Sequence, residues 1–270
     1  MRENELRVSL GIIGDLSPEQ VAEHLGLRAT AAWHQGEIEG RSRLPAPSSG
    51  LRFGSGLPGD ASLAEHLSAL WQRIEPVAAQ IREIKADKVI QVWLYVYRAM
   101  PDFQLSARDV GIVAAAGAAV DIDVYYLADD ADARNRAVGD EMRNRVGAWL
   151  ELAGPGLDVE GLATALGLPD AAAGGRWRLE ESPGVVRVRP EPEAPAGGLE
   201  EQAATIAFAV PSLAARLSAL DCEKRLVGCA DVFEHVPALH VGAATMRALA
   251  GCGLGLDVRV NYVGELDRRG

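Results

Sequence analysis

Two strand-like segments of the chain carry aromatic and acidic side chains at every second position. In VIQVWLYVYR (89–98) and VDIDVYYL (120–127), strand alternation puts these side chains on one face and aliphatic side chains on the other. The residues of that face are Trp93, Tyr95, Tyr97, Asp121, Asp123 and Tyr125. Aromatic rings beside carboxylates are typical of a ligand groove or a protein-binding surface. We therefore predict a binding site here, with the open alternative that the long Gly/Pro-rich loop or another part of the chain covers the rings.

An acid–imidazole pair in the first half, His34 and Glu37, could perform general acid–base chemistry. We include both residues in the predicted binding site. No GxSxG nucleophile motif accompanies them, and the other close pair, 234–235, has no equivalent in the first half. We therefore predict no catalytic residue. A hydrolase-like enzyme remains the alternative, with its site between two halves of the chain near His34, Asp121 and Asp123.

Two further patterns lack the context that their chemistry requires. GSGLPG (54–59) fits the GxGxxG pattern, but a loop precedes it and Pro58 lies inside it, unlike a dinucleotide-binding turn. The cysteines and histidines of the last quarter do not have the spacing of a zinc site. They are Cys222, Cys229, His235, His240 and Cys252. We expect no cofactor and no bound metal.

The helices that must position these residues occur in two similar sets. LSPEQVAEHLGL (16–27) has a serine N-cap and a glycine stop, and LDVEGLATALGL (157–168) has an aspartate and a glycine in the same places. Two longer segments, 63–84 and 199–220, keep one apolar face and each contain a proline near the middle, where we expect a break. The sequence therefore predicts a tandem duplication.

The strand segments of the two sets also align. AGAAVDIDVYY (116–126) falls on AGCGLGLDVRV (250–260), which places Asp123 on Asp257. In the same alignment, the aromatic positions of 89–98 are replaced by smaller or acidic residues, namely Val227, Cys229 and Asp231. What repeats is the scaffold, and what differs is the predicted binding face.

The order of elements predicts an α+β protein built from two tandem copies of a small domain. We place the first copy at 1–129, a connector at 130–144 and a second, divergent copy at 145–270. Each copy is expected to form a mixed sheet backed by helices, in a broadly ferredoxin-like layout. The copies are expected to pack as an internal pseudo-dimer, which would protect exposed strand edges.

The first copy resembles a bacterial family catalogued as domain of unknown function 4279. The resemblance is carried by VSLGIIGDLSPEQVAEHLGL, the HQGE that follows, the long helix with its central proline, and VDIDVYY. The second copy resembles the family less closely. Its closing strand reads LDVRVNY, and no clear counterpart of the Gln35–Gly36 dipeptide of HQGE follows its first helix. The resemblance implies the fold and implies no activity.

Composition narrows the class of function. The chain has 270 residues and a formal net charge of −11, so phosphate backbones and anionic lipid repel it, and we expect no nucleic acid or membrane partner. The three cysteines and the N-terminus without an apolar leader indicate a cytoplasmic protein. We predict a non-catalytic binding protein whose partner is another protein, of an immunity-type or regulatory kind. A further option is that the second copy only stabilises the first.

Overall fold

The structure is a computed structural model, and it describes residues 4–38, 44–97, 103–126, 145–168, 177–190, 199–209, 214–232 and 239–262. The chain divides into two compact units, one of residues 1–98 and 112–127 and the other of residues 99–111 and 128–270. The predicted connector at 130–144 lies outside the described residues. The predicted copy boundaries and pseudo-dimer stay predictions.

Strands and helices alternate in the same order in both halves. The first half contains β1 (Glu5–Gly14), α1 (Pro18–Leu25), β2 (Ala31–Trp33), β3 (Ser49–Gly54), α2 (Leu63–Ile74), α3 (Ala78–Glu83), β4 (Asp87–Val96), β5 (Phe103–Leu105), α4 (Ala107–Ala116) and β6 (Ala119–Tyr126). The second half contains β7 (Arg145–Ala153), α5 (Val159–Leu166), β8 (Trp177–Ser182), β9 (Val185–Pro190), α6 (Leu199–Ala209), α7 (Ala214–Ala219), β10 (Glu223–Val232), β11 (Leu239–Val241), α8 (Ala243–Gly251) and β12 (Gly255–Tyr262). The predicted α+β class is confirmed.

The first helix of each half begins and ends where its capping residues predict. Ser17 accepts a hydrogen bond from the Gln20 amide at the start of α1, and Asp158 caps α5 in the same way. Each helix ends at a glycine in the left-handed conformation, Gly26 with φ 62° and Gly167 with φ 63°. Side chains with a Cβ are disfavoured at this φ, so the glycines stop the helices.

The expected proline break is present in the first half. A short 3₁₀ turn at Glu75–Val77 contains Pro76 and separates α2 from α3. Ile74 and Ile81 on either side are fully buried, so the apolar face continues through the break. Proline removes one backbone donor and clashes with the preceding turn, which explains the interruption. The corresponding proline of the second half, Pro211, lies outside the described residues.

Both units are built on mixed sheets with one strand order. In the first unit the strands run β6-β4-β1-β3-β2, and in the second β12-β10-β7-β9-β8. The strand in the middle of each order, β1 or β7, is antiparallel to both neighbours, whereas β4 with β6 and β10 with β12 are parallel pairs. Helix α2 packs on β1, and helix α6 packs on β7.

One face of the first unit's sheet forms the core. Leu10, Ile90 and Val120 are aligned across β1, β4 and β6, and all three are fully buried. Burying an aliphatic side chain of this size contributes about 1.5–3 kcal/mol to stability. Because side chains alternate along a strand, this packing turns the intervening residues toward the opposite face of the sheet.

Strand β5 precedes β6 in the chain but lies in the second unit, where it pairs antiparallel with β12. Phe103 is aligned with Val258 and Leu105 with Leu256. Both β5 side chains are buried, whereas Gln104 between them is exposed. The second unit therefore needs a segment of the chain that lies within residues 1–129.

A fragment that ends at residue 129 should not fold as a stable domain. It retains Phe103 and Leu105, which are only 1% and 2% exposed in the whole chain, but it lacks their partner strand β12. We expect aggregation, or binding of a hydrophobic dye without a cooperative thermal transition. The test compares the fragment with the whole chain by circular dichroism and dye fluorescence. Cooperative unfolding of the fragment at the melting temperature of the whole chain would contradict this expectation.

Candidate functional site

The face opposite the core in the first unit carries polar and aromatic side chains from neighbouring strands. Arg7 of β1 is aligned with Trp93 of β4, which in turn is aligned with Asp123 of β6. Ser9, two residues after Arg7 on β1, is aligned with Gln91 of β4. We call this surface the open face. It is defined by Trp33, Arg7, Ser9, Arg52, Gln91, Trp93, Tyr95, Asp121, Asp123 and Tyr125.

Arg52 on β3 lies against two indole rings of the open face. Its guanidinium carbon is 4.9 Å from the centre of the Trp33 ring and 5.4 Å from that of Trp93. Its Nε donates a hydrogen bond to Oε1 of Gln91 at 3.3 Å. Cation–π contacts contribute about 0.5–2 kcal/mol each, and together they fix the position of this positive charge.

The ring of Trp33 is itself held from two sides. Its Nε1 donates to the Ser48 carbonyl at 3.0 Å, and the side chain is only 6% exposed. Gly50 is aligned with Trp33 on the next strand, and a Cβ at this position would clash with the indole. A glycine is therefore required at residue 50 to admit the ring that supports Arg52.

Tyr95 lies between a second arginine and a second tyrosine. The guanidinium carbon of Arg7 is 5.9 Å from the centre of the Tyr95 ring. Tyr125 stacks on Tyr95 with ring centres 5.2 Å apart and an interplanar angle of 16°. The aromatic rings predicted as a contact surface are thus engaged with side chains of the same sheet, and they position the two arginines.

The acidic residues of the open face lie on its β6 side. Burial raises the pKa of Asp123, and the nearby carboxylate of Asp121 raises it further. Burial also raises the pKa of Tyr125, with smaller contributions from Asp123 and Tyr95. Two neighbouring carboxylates thus lie on the β6 side of the open face, and one of them, Asp123, is aligned with Trp93.

A pocket of about 540 Å³ opens beside the arginines. Its wall combines open-face residues with the loop that follows β3 and one residue of α2. They are Arg7, Val8, Ser9, Thr30, Arg52, Gly54, Ser55, Gly56, Leu57, His66, Trp93 and Tyr95. Two guanidinium groups and no carboxylate are among these lining residues, so the described wall is positively charged.

A serine and a histidine meet at one end of the pocket. The Oγ of Ser55 is 2.6 Å from Nδ1 of His66, and His66 is 1% exposed. Burial lowers the pKa of His66, and the Pro58 carbonyl and Glu65 oppose that shift only in part. A neutral imidazole that accepts from Ser55 ties the loop after β3 to α2.

The hydroxyl of Ser9 is the polar group of the wall that most clearly lacks a partner. Ser9 is 5% exposed, and its Oγ makes no hydrogen bond within the described residues. Gly54 is aligned with Ser9 on β3 and has no side chain to satisfy it. Buried polar groups are normally hydrogen-bonded, so this hydroxyl is available to a ligand.

The structure brings only part of the predicted binding site to the pocket. Trp93 and Tyr95 line it, whereas the other predicted residues do not. The predicted residues outside the lining are His34, Glu37, Tyr97, Asp121, Asp123 and Tyr125. Of these, Tyr125 is 44% exposed and Tyr97 is half-buried.

His34 and the β6 carboxylates do not share a site, and the proposed grouping of the hydrolase alternative is wrong in this respect. His34 follows β2, at the opposite end of the unit's strand order from β6, which carries Asp121 and Asp123. Its Nε2 lies 3.1 Å from Oε1 of Glu19, with both side chains exposed. Glu37 accepts a hydrogen bond from the His34 amide at 2.9 Å, so this pair closes a surface turn.

Several residues of the pocket were not predicted, chiefly Arg7, Ser9, Arg52, Ser55 and His66. Strand alternation in ELRVSLGII already places Arg7 and Ser9 opposite Leu6 and Val8. These two residues could therefore have been predicted from the sequence. The contact between Ser55 and His66 could not, because it depends on how α2 packs on the sheet.

The second unit shows a different register from the one the sequence alignment predicts. Strand β10 begins 136 positions after β4 (223 and 87), and β12 begins 136 after β6 (255 and 119). Asp257 therefore corresponds to Asp121, and Arg259 to Asp123. The alignment of Asp123 with Asp257 is wrong by two residues. A shift of two residues leaves every side chain on the same face of the strand, so the alternation pattern could not reveal the error.

In the second unit the matching face is filled by an ion-pair cluster. Its members are Glu151, Arg187, Arg225, Asp257 and Arg259. Glu151 is 3.3 Å from Nη2 of Arg259, and Asp257 is 2.7 Å from the same nitrogen. Although burial opposes the shift, hydrogen bonds and attraction from Asp257 and Glu151 raise the pKa of Arg259. Three guanidinium groups share two buried carboxylates here, so each arginine of the cluster has an internal carboxylate partner.

Neither a cluster of metal-ligand side chains nor a membrane-spanning helix occurs among the described residues. No group of three or more His, Cys, Asp or Glu side chains among them is arranged to hold a metal ion. No helix in the described ranges is long and apolar enough to span a bilayer. The GxGxxG segment begins at Gly54, the last residue of β3, so the expectation that a loop precedes it is wrong. It still lacks the geometry of a dinucleotide-binding turn, because α2 begins only at Leu63.

Acidification should destabilise the protein through His66. Because burial lowers its pKa in the folded state, the unfolded chain binds the proton more readily. The stabilisation is present above the ordinary value of 6.5 and is lost as the pH falls through the lower folded-state pKa. Denaturant unfolding at pH 7.5 and 5.5 should show a smaller drop for His66→Asn than for the wild type. An exposed control, His24→Asn, should behave as the wild type, and an equal drop in all three proteins would contradict this role.

Removal of a carboxylate from the ion-pair cluster should be costly. Glu151→Gln removes the carboxylate partner of Arg187 and leaves Arg225 and Arg259 with Asp257 alone, and we expect a loss of about 3–5 kcal/mol in the free energy of unfolding. Glu223, which pairs with Arg225 but has a 65% exposed side chain, provides the matched control. Glu223→Gln should cost less than about 1 kcal/mol. Urea titrations measure both losses. Similar losses for the two variants would contradict the expectation that burial of the carboxylate sets the cost of its removal.

Comparison with known proteins identifies a family for the first half of the chain. Residues 4–127 match the model of the family described as "Domain of unknown function (DUF4279)". No curated protein and no solved structure matches the chain. The matched range ends one residue after β6, so it covers the open face and the whole pocket wall. This match confirms the predicted resemblance of the first half of the chain to the DUF4279 family.

Proposed function

We propose that this chain is a non-catalytic binding protein and that the pocket of the first unit is its binding site. The observation that carries the proposal is a concave space of about 540 Å³ walled by two aromatic rings and two arginines. Ligand pockets typically have volumes of about 300–1,000 Å³, with few polar groups that fix the orientation of the ligand. The pocket can take a small molecule or the end of a partner polypeptide.

The preformed geometry of the wall supports this proposal. Arg52 is held between Trp33 and Trp93, and Arg7 lies against Tyr95, before any ligand is present. Side chains that are already ordered lose little entropy on binding, so each contact contributes more to affinity. An immunity-type or regulatory role would act through this binding step, with another protein as the partner.

The duplication is part of the same proposal. The two halves share their element order, their strand order and the 136-residue offset of their last long strands. We infer that the second half is a divergent copy whose matching face became a structural ion-pair cluster. Binding would then be confined to the first unit, and the second unit would serve stability.

A cytoplasmic location fits this function. The cysteines Cys222, Cys229 and Cys252 form no disulfide. Burial raises the pKa of Cys222 and Cys252, which keeps these thiols protonated and unreactive. No observation favours the hydrolase alternative, since its acid and base residues lie on strands at opposite ends of the first unit's order.

Two tyrosines at the end of β4 provide a matched test. Tyr95 is in the strand and Tyr97 directly follows its last residue; both are half-buried, but only Tyr95 lines the pocket. Ligand-observed NMR with a metabolite extract, followed by titration of each hit, measures affinity. We expect Tyr95→Ala to weaken binding by about tenfold or more and Tyr97→Ala by less than about twofold. Equal effects of the two substitutions, or no binding species at all, would contradict the proposal.

A further inference from the structure

We propose that the pocket recognises an oxyanion, a carboxylate or a phosphate carried by its ligand, through Arg7 and Ser9, with Arg52 as the second positive charge. This inference rests on the proposed binding function and specifies the chemistry of the ligand. It concerns one end of the pocket, where β1 and β3 lie side by side.

The charge of the wall is the first argument. The whole chain carries −11, yet the lining residues include two guanidinium groups and no carboxylate. Arg7 is exposed and makes no ion pair within the described part of the chain. A local positive site on an acidic protein attracts anionic ligands and repels cationic ones.

The fixed orientation of the arginines is the second argument. The guanidinium carbon of Arg7 lies over the Tyr95 ring at 5.9 Å, and that of Arg52 lies over the rings of Trp33 and Trp93 at 4.9 and 5.4 Å. A guanidinium in contact with a ring can still donate from its N–H groups to an oxyanion, in the bidentate geometry that carboxylates and phosphates match. The aromatic rings thus act as supports for the cations.

The unsatisfied hydroxyl of Ser9 is the third argument. Ser9 is two residues from Arg7 on the same face of β1, about 7 Å along the strand. Its Oγ is buried and has no hydrogen-bond partner among the described residues. An oxyanion that accepts from both side chains would satisfy this donor while one of its oxygens meets the guanidinium.

Glycines lie opposite Ser9 and Arg52 in the strand pairing. Gly54, which lines the pocket, is aligned with Ser9, and Gly11 is aligned with Arg52. A side chain at residue 54 would extend toward Thr30, another lining residue. In the second unit, Glu151 occupies the strand position that corresponds to Gly11 and pairs with the arginine that corresponds to Arg52, Arg187. The first unit has a glycine at this position, so the carboxylate that fills the face of the second unit has no counterpart at residue 11.

Direct titration of the whole chain tests this chemistry. The probes share one ring and differ in charge: phenyl phosphate, benzoate, neutral benzyl alcohol and cationic benzylamine. Calorimetry at pH 7.5 and constant ionic strength gives each affinity. We expect one or both anions to bind about tenfold or more tightly than the neutral and cationic probes. The tighter of the two anions identifies whether phosphate or carboxylate is the preferred group.

Variants of the whole chain test the assigned residues. Arg7→Gln should weaken anion binding by about tenfold or more, and Ser9→Ala by about threefold to tenfold. Arg7→Lys keeps the positive charge but lacks the two parallel N–H donors of a guanidinium. Its affinity for anions should therefore lie between that of Arg7→Gln and that of the wild type. Arg247→Gln, at an exposed position of α8, removes the same charge and should change affinity by less than about twofold. Circular dichroism and melting temperature confirm that each variant is folded.

The outcomes separate the inference from the binding function. If benzyl alcohol binds as tightly as the anions and Tyr95→Ala abolishes both, the pocket binds ligands but the oxyanion assignment is wrong. If anions bind and Arg7→Gln has no more effect than Arg247→Gln, the binding is non-specific and the inference fails. If Tyr95→Ala affects no probe and no extract component, the proposed function fails as well.

Discussion

The guanidinium of Arg52 lies between the indoles of Trp33 and Trp93, and the open face of the first unit depends on this stack. It joins β2, β3 and β4, although β2 contributes only three residues to the sheet. Gly50 is needed because any Cβ there would occupy the place of the Trp33 ring. One cation therefore links the edge of the sheet to the wall of the pocket.

The two units show two ways to place arginines on the outer face of a mixed sheet. In the second unit, the carboxylates of Glu151 and Asp257 pair with the arginines of this face, although Trp149 also lies beneath Arg187. In the first unit, aromatic rings support Arg7 and Arg52, and the described pocket wall keeps its positive charge. A buried ion pair satisfies itself, whereas a supported cation favours an anionic partner from outside. This difference is why we assign binding to the first unit.

Local patterns were sufficient to predict the helices and the two faces of the strands. Ser17, Asp158 and Pro76 act where the sequence places them, because capping and proline effects need only neighbouring residues. The α+β class follows from the order of such elements.

The pairing of distant segments could not be predicted in the same way. A two-residue shift of register conserves the face, so the alignment of Asp123 with Asp257 looked acceptable until the strand pairs were known. The same holds for the contact of Ser55 with His66 and for the pairing of β5 with β12, since both depend on tertiary packing. Trp93 and Tyr95 were predicted from alternation alone, and alternation could also have placed Arg7 on this face, but the contacts between the arginines and the rings required the structure.

The central claim is that an oxyanion binds beside the supported arginines of the first unit. Side-chain NMR of the whole chain, with signals of arginine Nε–H and tryptophan indole N–H groups, tests it most directly. Addition of phenyl phosphate should shift the signals of Arg7, Arg52 and Trp93 and leave that of Trp149, in the second unit, unchanged. Shifts confined to Trp149 and its neighbours, or equal shifts across all arginines, would contradict the account.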